Sequence, residues 1–184
     1  MKKVIIGSLI FLSLVGCGKN KEVKQETTTN KFKEEYELLN NKEDYINITI
    51  KNNNPIVYSN LEEINDIIDN KSGLIYLGYP ESNSCRDALP ILIEAAKQTG
   101  LKKIYYLNTK DLDINNSKYA KLNEYIKSFE GINVIFVKDK DNIGSISSLD
   151  KDYKKMSNNE KDELLKQYRN SIHEMLNDLC DQSC

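Results

Sequence analysis

Three short runs, Leu74 to Leu77, Ile104 to Leu107 and Val134 to Val137, are apolar at both odd and even positions. A strand with one face in water alternates, so runs without alternation belong in the middle of a sheet covered on both faces. Upstream, Ile46, Ile48 and Ile50 alternate with Asn47 and Thr49, which predicts a more exposed strand, and Ile56-Val57-Tyr58 extends it or pairs with it. Downstream, Ile143 to Ser147 is expected to pair with Val134 to Lys138 through the polar hairpin Asp139-Lys140-Asp141-Asn142.

Helical spacing fills the intervals. Ser59 and Glu62 form a capping-box pattern ahead of Leu61, Ile64, Ile67 and Ile68. A similar start at Ser84 and Asp87 leads into Ala88, Leu89, Leu92, Ile93 and Ala96 and stops at Gly100. Residues 117 to 129 carry Tyr119, Leu122, Ile126 and Phe129 on one face, and a helix over Phe32 to Leu39 is also expected. The last helix begins at Ser157 with Glu160 as its capping partner and keeps Leu165, Tyr168, Ile172 and Leu179 together. The order strand, helix, strand, helix, strand, helix, strand, hairpin strand, helix predicts an α/β three-layer sandwich with a central mixed sheet.

The N-terminus follows a different pattern. Met1-Lys2-Lys3 precedes a mostly apolar stretch from Val4 to Val15, and the chain then reads Leu14-Val15-Gly16-Cys17. A positive start, a short apolar run and small residues at a cleavage point make a signal peptide. As a helix that run rises only about 18 Å, against a hydrocarbon core of roughly 30 Å. Leu-Val-Gly-Cys resembles the lipobox of bacterial prelipoproteins. The resemblance implies diacylglyceryl transfer to the Cys17 thiol, cleavage after Gly16 and a lipid anchor on the extracytoplasmic face of the cell membrane. Two acyl chains suffice for stable anchoring where one does not.

The expected organisation is a signal peptide over 1–16, a lipidated tether over 17–31 and a domain with a C-terminal helix and cysteine pair over 32–184. The tether is polar and has too little apolar surface to repay ordering. Losing Lys2 and Lys3 leaves 24 basic against 28 acidic residues, a net charge of −4. A mildly acidic domain without a basic stripe is not expected to bind nucleic acid.

The segment Leu74-Ile75-Tyr76-Leu77-Gly78-Tyr79-Pro80-Glu81-Ser82-Asn83-Ser84-Cys85-Arg86-Asp87-Ala88-Leu89-Pro90 carries an aromatic-proline turn after a buried strand, a cysteine at a helix start and a proline five residues beyond it. It resembles the active-site strand, loop and helix of thioredoxin-like proteins, and the element order from Ile46 to Cys180 fits the same family. The chain departs from that family where the chemistry lies. Disulfide exchange there needs Cys-x-x-Cys, the first thiolate attacking and the second resolving. Here the four positions are Ser82-Asn83-Ser84-Cys85, and a serine hydroxyl cannot form a disulfide. Ile132 occupies the family's cis-proline position, and Tyr76 the place of its buried charged residue. His173, the one histidine, lies far away on another helix, so Ser82 has no evident base.

Cys85 admits two readings. It is a small apolar residue packed at a helix start, or a thiol activated by the helix N-terminus and Arg86, with burial opposing activation. Ser82, Asn83 and Ser84 equally suit helix capping.

With Cys17 lipidated, Cys85, Cys180 and Cys184 remain. In the thioredoxin topology the last helix runs away from the active-site end, and 23 residues extend it roughly 34 Å. Cys180 is therefore expected to pair with Cys184 rather than with Cys85, provided the helix ends near Cys180. His173, Cys180 and Cys184 could share a helical face, but three ligands fall short of a structural zinc site, and neither metal nor cofactor is expected. The functional expectation is a membrane-anchored lipoprotein, redox-inactive at the usual dithiol site, that binds an envelope client protein. The alternative is a thiol-disulfide oxidoreductase working through Cys85 or through the Cys180 and Cys184 pair.

Overall fold

The computed structural model describes residues 30–139 and 141–180. Helix α1 covers 30–37, followed by β1 (Ile56–Tyr58), α2 (Leu61–Asn70), β2 (Gly73–Gly78), α3 (Asn83–Thr99), β3 (Ile104–Asn108), a 3-10 turn (Ser117–Tyr119), α4 (Ala120–Asn123), β4 (Ile132–Lys138), β5 (Asp141–Ser148) and α5 (Asn158–Cys180). The five strands form one sheet in the order β1-β3-β2-β4-β5. β3 runs parallel to β1 and β2, while β4 runs antiparallel to β2 and β5. This is the mixed sheet expected of a thioredoxin-like sandwich.

The apolar runs without alternation are its central strands. On β2, Leu74 and Tyr76 face a layer made of α1, α3 and α5, while Ile75 and Leu77 face α2 and the segment from Tyr119 to Phe129. β4 divides the same way, with Ile132, Val134 and Phe136 on the first face and Ile135 and Val137 on the second. Both layers are needed because each face of these strands is apolar.

The expected strand over Ile46 to Ile50 does not form a ladder. Its alternation is real, since Ile48 and Ile50 are buried and Asn47 and Thr49 exposed, but its backbone partners are side chains. The Asn40 amide accepts from the Ile48 N–H at 2.9 Å and donates to the Ile48 carbonyl at 2.7 Å, as a neighbouring strand would. Glu37 accepts from the Ile50 N–H and Asn83 from the Ile46 N–H, each at 2.8 Å. Period-two patterning reports which side chains are buried, not what the backbone bonds to.

Element ends shift by small amounts. The capping box on α2 uses Asn60 and Glu63, one residue later than Ser59 and Glu62. α3 is capped by Ser82, two residues before the expected start, and ends at Gly100 with φ 75°. Ser157 and Glu160 do cap α5 reciprocally. The helix expected over 117–129 shrinks to the 3-10 turn and the four residues of α4, although Tyr119, Leu122, Ile126 and Phe129 are all buried on one cluster. Among the described residues no helix is long and apolar enough to cross a membrane.

Candidate functional site

The first turns of α3 are embedded on all sides: Ser84, Cys85, Arg86, Asp87, Ala88 and Leu89 are all buried. A helix start in that position must have its free N–H groups satisfied by protein. Ser82 Oγ accepts from the Cys85 N–H at 3.0 Å, and Asp150 Oδ1 accepts from the Ser84 N–H at 2.9 Å. The Asp150 carboxylate also suits the positive end of the helix dipole. Its second oxygen accepts from the Tyr79 hydroxyl at 3.3 Å, so the segment after β5 is tied across the helix start.

Ser84 Oγ donates to the Ser148 carbonyl at 3.2 Å and accepts from the Ile132 N–H at 3.2 Å. Because that donation uses its proton, the 3.1 Å contact with Ser82 Oγ is donated by Ser82. Ser82 therefore both accepts and donates within the protein and is fully buried. Ile132 is brought to the same cluster, and Asn83 donates outward to the Asp44 carbonyl at 2.8 Å.

Cys85 has no solvent exposure. Its sulfur packs on Gly78, where an added Cβ would stand 2.6 Å from Sγ and 2.7 Å from the Tyr76 hydroxyl. Burial pushes the thiol up to about 11; hydrogen bonding to Ser82, Tyr76 and the Tyr79 backbone pulls the other way without offsetting it. Tyr76 in turn shares a 2.5 Å hydrogen bond with Tyr36 and stacks on Tyr106. The place expected to hold a charge is thus filled by a buried tyrosine cluster.

The Arg86 guanidinium turns away from the buried Cys85. It donates to the carbonyls of Ile46 at 2.5 Å, Tyr36 at 2.7 Å and Pro80 at 3.1 Å, and to Asn40 Oδ1 at 2.8 Å. Arg86 clips α1 and the extended 46–50 segment onto the α3 start. Asp87, 4 % exposed, does the same on the other side. It accepts from the Tyr153 hydroxyl at 3.0 Å and the Met156 N–H at 2.7 Å and pairs with Lys161 at 2.6 Å.

A raised thiol value has a definite pH signature. A buried neutral thiol favours the folded state fully below about pH 9, and that contribution is lost as pH rises towards about 11, since the unfolded chain ionises first. Urea unfolding from pH 8 to 10.5 is expected to show a steeper fall for the native chain than for Cys85→Ala. Equal slopes would show that Cys85 is not held protonated.

Beside this cluster lies a cavity of about 400 Å³ bounded by α3, β4, β5 and the start of α5, with Ser84, Ile132 and Tyr168 in its wall. A second, of about 750 Å³, lies at the far end of α3 between Pro90 to Lys102 and the loop Thr49 to Pro55. His173 is exposed on α5, away from the cavity wall. Cys17, Cys184 and the side chain of Cys180 lie outside the described residues, so the anchor and the C-terminal pair are not placed here. Among the described residues no group of three histidine, cysteine or carboxylate side chains could hold a metal ion.

Asp150 and Tyr153 complete the site and carried no sequence signal, whereas Tyr79 was marked by the aromatic-proline turn. Asp150 sits in the polar run Asp150-Lys151-Asp152, indistinguishable from any solvated loop until the chain folds back over α3. Comparison with protein-family models and with curated proteins finds no match to this chain.

Proposed function

We propose that this chain is a membrane-anchored extracytoplasmic lipoprotein of thioredoxin-like architecture that does not exchange disulfides at the usual dithiol position and acts by binding protein. The observation that carries the reading is the state of the Ser82-Asn83-Ser84-Cys85 segment. The attacking position is a serine consumed in helix capping, and the cysteine is buried with its thiol raised to about 11. Exchange requires an accessible thiolate, and at pH 7 a thiol of that value is ionised only to about one part in ten thousand. The strap through Asp150 and Tyr153 ties the segment after β5 across the start of α3.

The anchor rests on the Leu14-Val15-Gly16-Cys17 pattern. Two measurements test the proposal. The purified chain is expected to leave insulin disulfides intact under dithiothreitol at the uncatalysed rate; turnover at rates typical of thioredoxins would overturn it. In bacterial cells making the full chain, radiolabelled palmitate is expected to enter the protein and to be lost in Cys17→Ser. Equal labelling of that variant would remove the anchor from the reading.

A further inference from the structure

β5 is the last strand of the sheet: β4 holds one side, and no described strand pairs with the other. The 400 Å³ cavity is lined by Ile146-Ser147-Ser148 of this strand and by the first three turns of α5. Its inner wall is apolar, built by Ala88, Ile132, Ile146 and Leu164. Tyr168 lines it as well, and its buried hydroxyl has no hydrogen-bond partner among the described residues. Three exposed charged residues belong to the lining, Glu160 and Glu163 against the single cation Lys154. Glu163 has no ion pair among the described residues, whereas the neighbouring Lys161 is engaged by Asp87.

We infer that this edge and cavity form one docking site for an extended peptide segment of a partner protein, with an apolar side chain entering the cavity and a basic residue two positions away on the same face. The inference rests on the binding reading above and names its surface. A strand laid on β5 would satisfy backbone groups that a terminal strand leaves unpaired. Strand side chains alternate, so every second residue of the guest points to the face of Ile146, the cavity face. A volume of about 400 Å³ is within the range of ligand-sized pockets and holds one aromatic or branched side chain with room to orient it. Residues two apart on a strand are roughly 6.5 Å apart, so a lysine there reaches the carboxylates of the α5 start.

The probe is a fluorescein-labelled heptapeptide of threonines with a central phenylalanine and lysines two residues to either side, titrated with the full-length chain in detergent and followed by anisotropy. Binding is expected in the range of about 10 to 100 μM at low salt. It should fall about fivefold in Glu163→Lys and about tenfold in Ala88→Leu, which fills the cavity. Replacing the phenylalanine by serine should abolish it. Glu163 is exposed, so its variant keeps the test valid should Ala88→Leu lose the native circular dichroism. No anisotropy change at 1 mM chain, or binding indifferent to Glu163→Lys and to the loss of phenylalanine, would overturn the docking site. If insulin is also left intact, only this surface falls; if insulin is reduced, the binding reading falls with it.

Discussion

Gly131→Ala is expected to destabilise the folded chain by about 3 kcal/mol or more and to loosen the segment tied across the start of α3. Gly131 has φ 78°, a conformation that costs a residue with a Cβ about 1 kcal/mol or more before any contact is considered. The contacts are worse than the torsion. An added Cβ would collide with the Ser148 backbone carbonyl and stand 2.8 Å from Ser84 Oγ and 2.9 Å from Leu149 Cα. Two of those atoms are backbone, which cannot rotate aside, and the Ser148 carbonyl already accepts the Ser84 hydroxyl. Relief requires the exit of β5 to move, with overpacking costs of about 1 to 3 kcal/mol. Urea unfolding measures the loss, and thiol titration with a chromogenic disulfide under native conditions measures the opening. A variant with native stability and an unreactive Cys85 would show that this crossing does not hold the strap.

Arg86→Leu is expected to cost about 3 to 5 kcal/mol, although leucine suits a buried site. The loss falls on the acceptors. The Tyr36, Ile46 and Pro80 carbonyls and Asn40 Oδ1 all receive donors from one guanidinium. Each acceptor left buried without a donor costs about 1 to 3 kcal/mol, reduced where water can enter. Asn40 is also the side chain that stands in for a strand beside Ile48, so its disorder spreads to the 46–50 segment. Hydrogen exchange should show the amides of Ile46, Ile48 and Ile50 losing protection before the sheet does. Arg86→Lys should recover less than half of the stability, because a single ammonium cannot reach four acceptors placed around a planar fork. Uniform protection in Arg86→Leu would mean that the segment is held by its buried isoleucines alone.

How far the sequence carried the fold can be seen strand by strand. β2, β3 and β4 were legible because apolar residues at both parities leave a strand no solvent face to occupy. The ends of α3 and α5 were legible to within two residues because Gly100, Ser157 and Glu160 have local capping roles. Ile46 to Ile50 was misread because its alternation is a burial pattern, and the acceptors that replaced a ladder come from Glu37, Asn40 and Asn83. The helix over 117–129 was overextended for a similar reason: its buried face is genuine, but only Ala120–Asn123 is α-helical.

The candidate site divides along the same line. By itself the sequence determined that the run Ser82-Asn83-Ser84-Cys85 holds a single cysteine, so that Cys85 has no thiol within three residues, and that residue 132 is an isoleucine. These are matters of covalent identity, which no folding can change. How deeply Cys85 is buried was decided only in three dimensions. The helix N-terminus and Arg86 argued one way and burial the other, and their balance depends on distance and exposure. Folding aims the guanidinium at four oxygens around the 36–46 segment and Pro80, buries the sulfur beneath Gly78 and Tyr76, and draws Asp150 over the helix start from 66 residues away. Desolvation of a charge outweighs a helix dipole once water is excluded, and exclusion of water is a property of the packed chain alone.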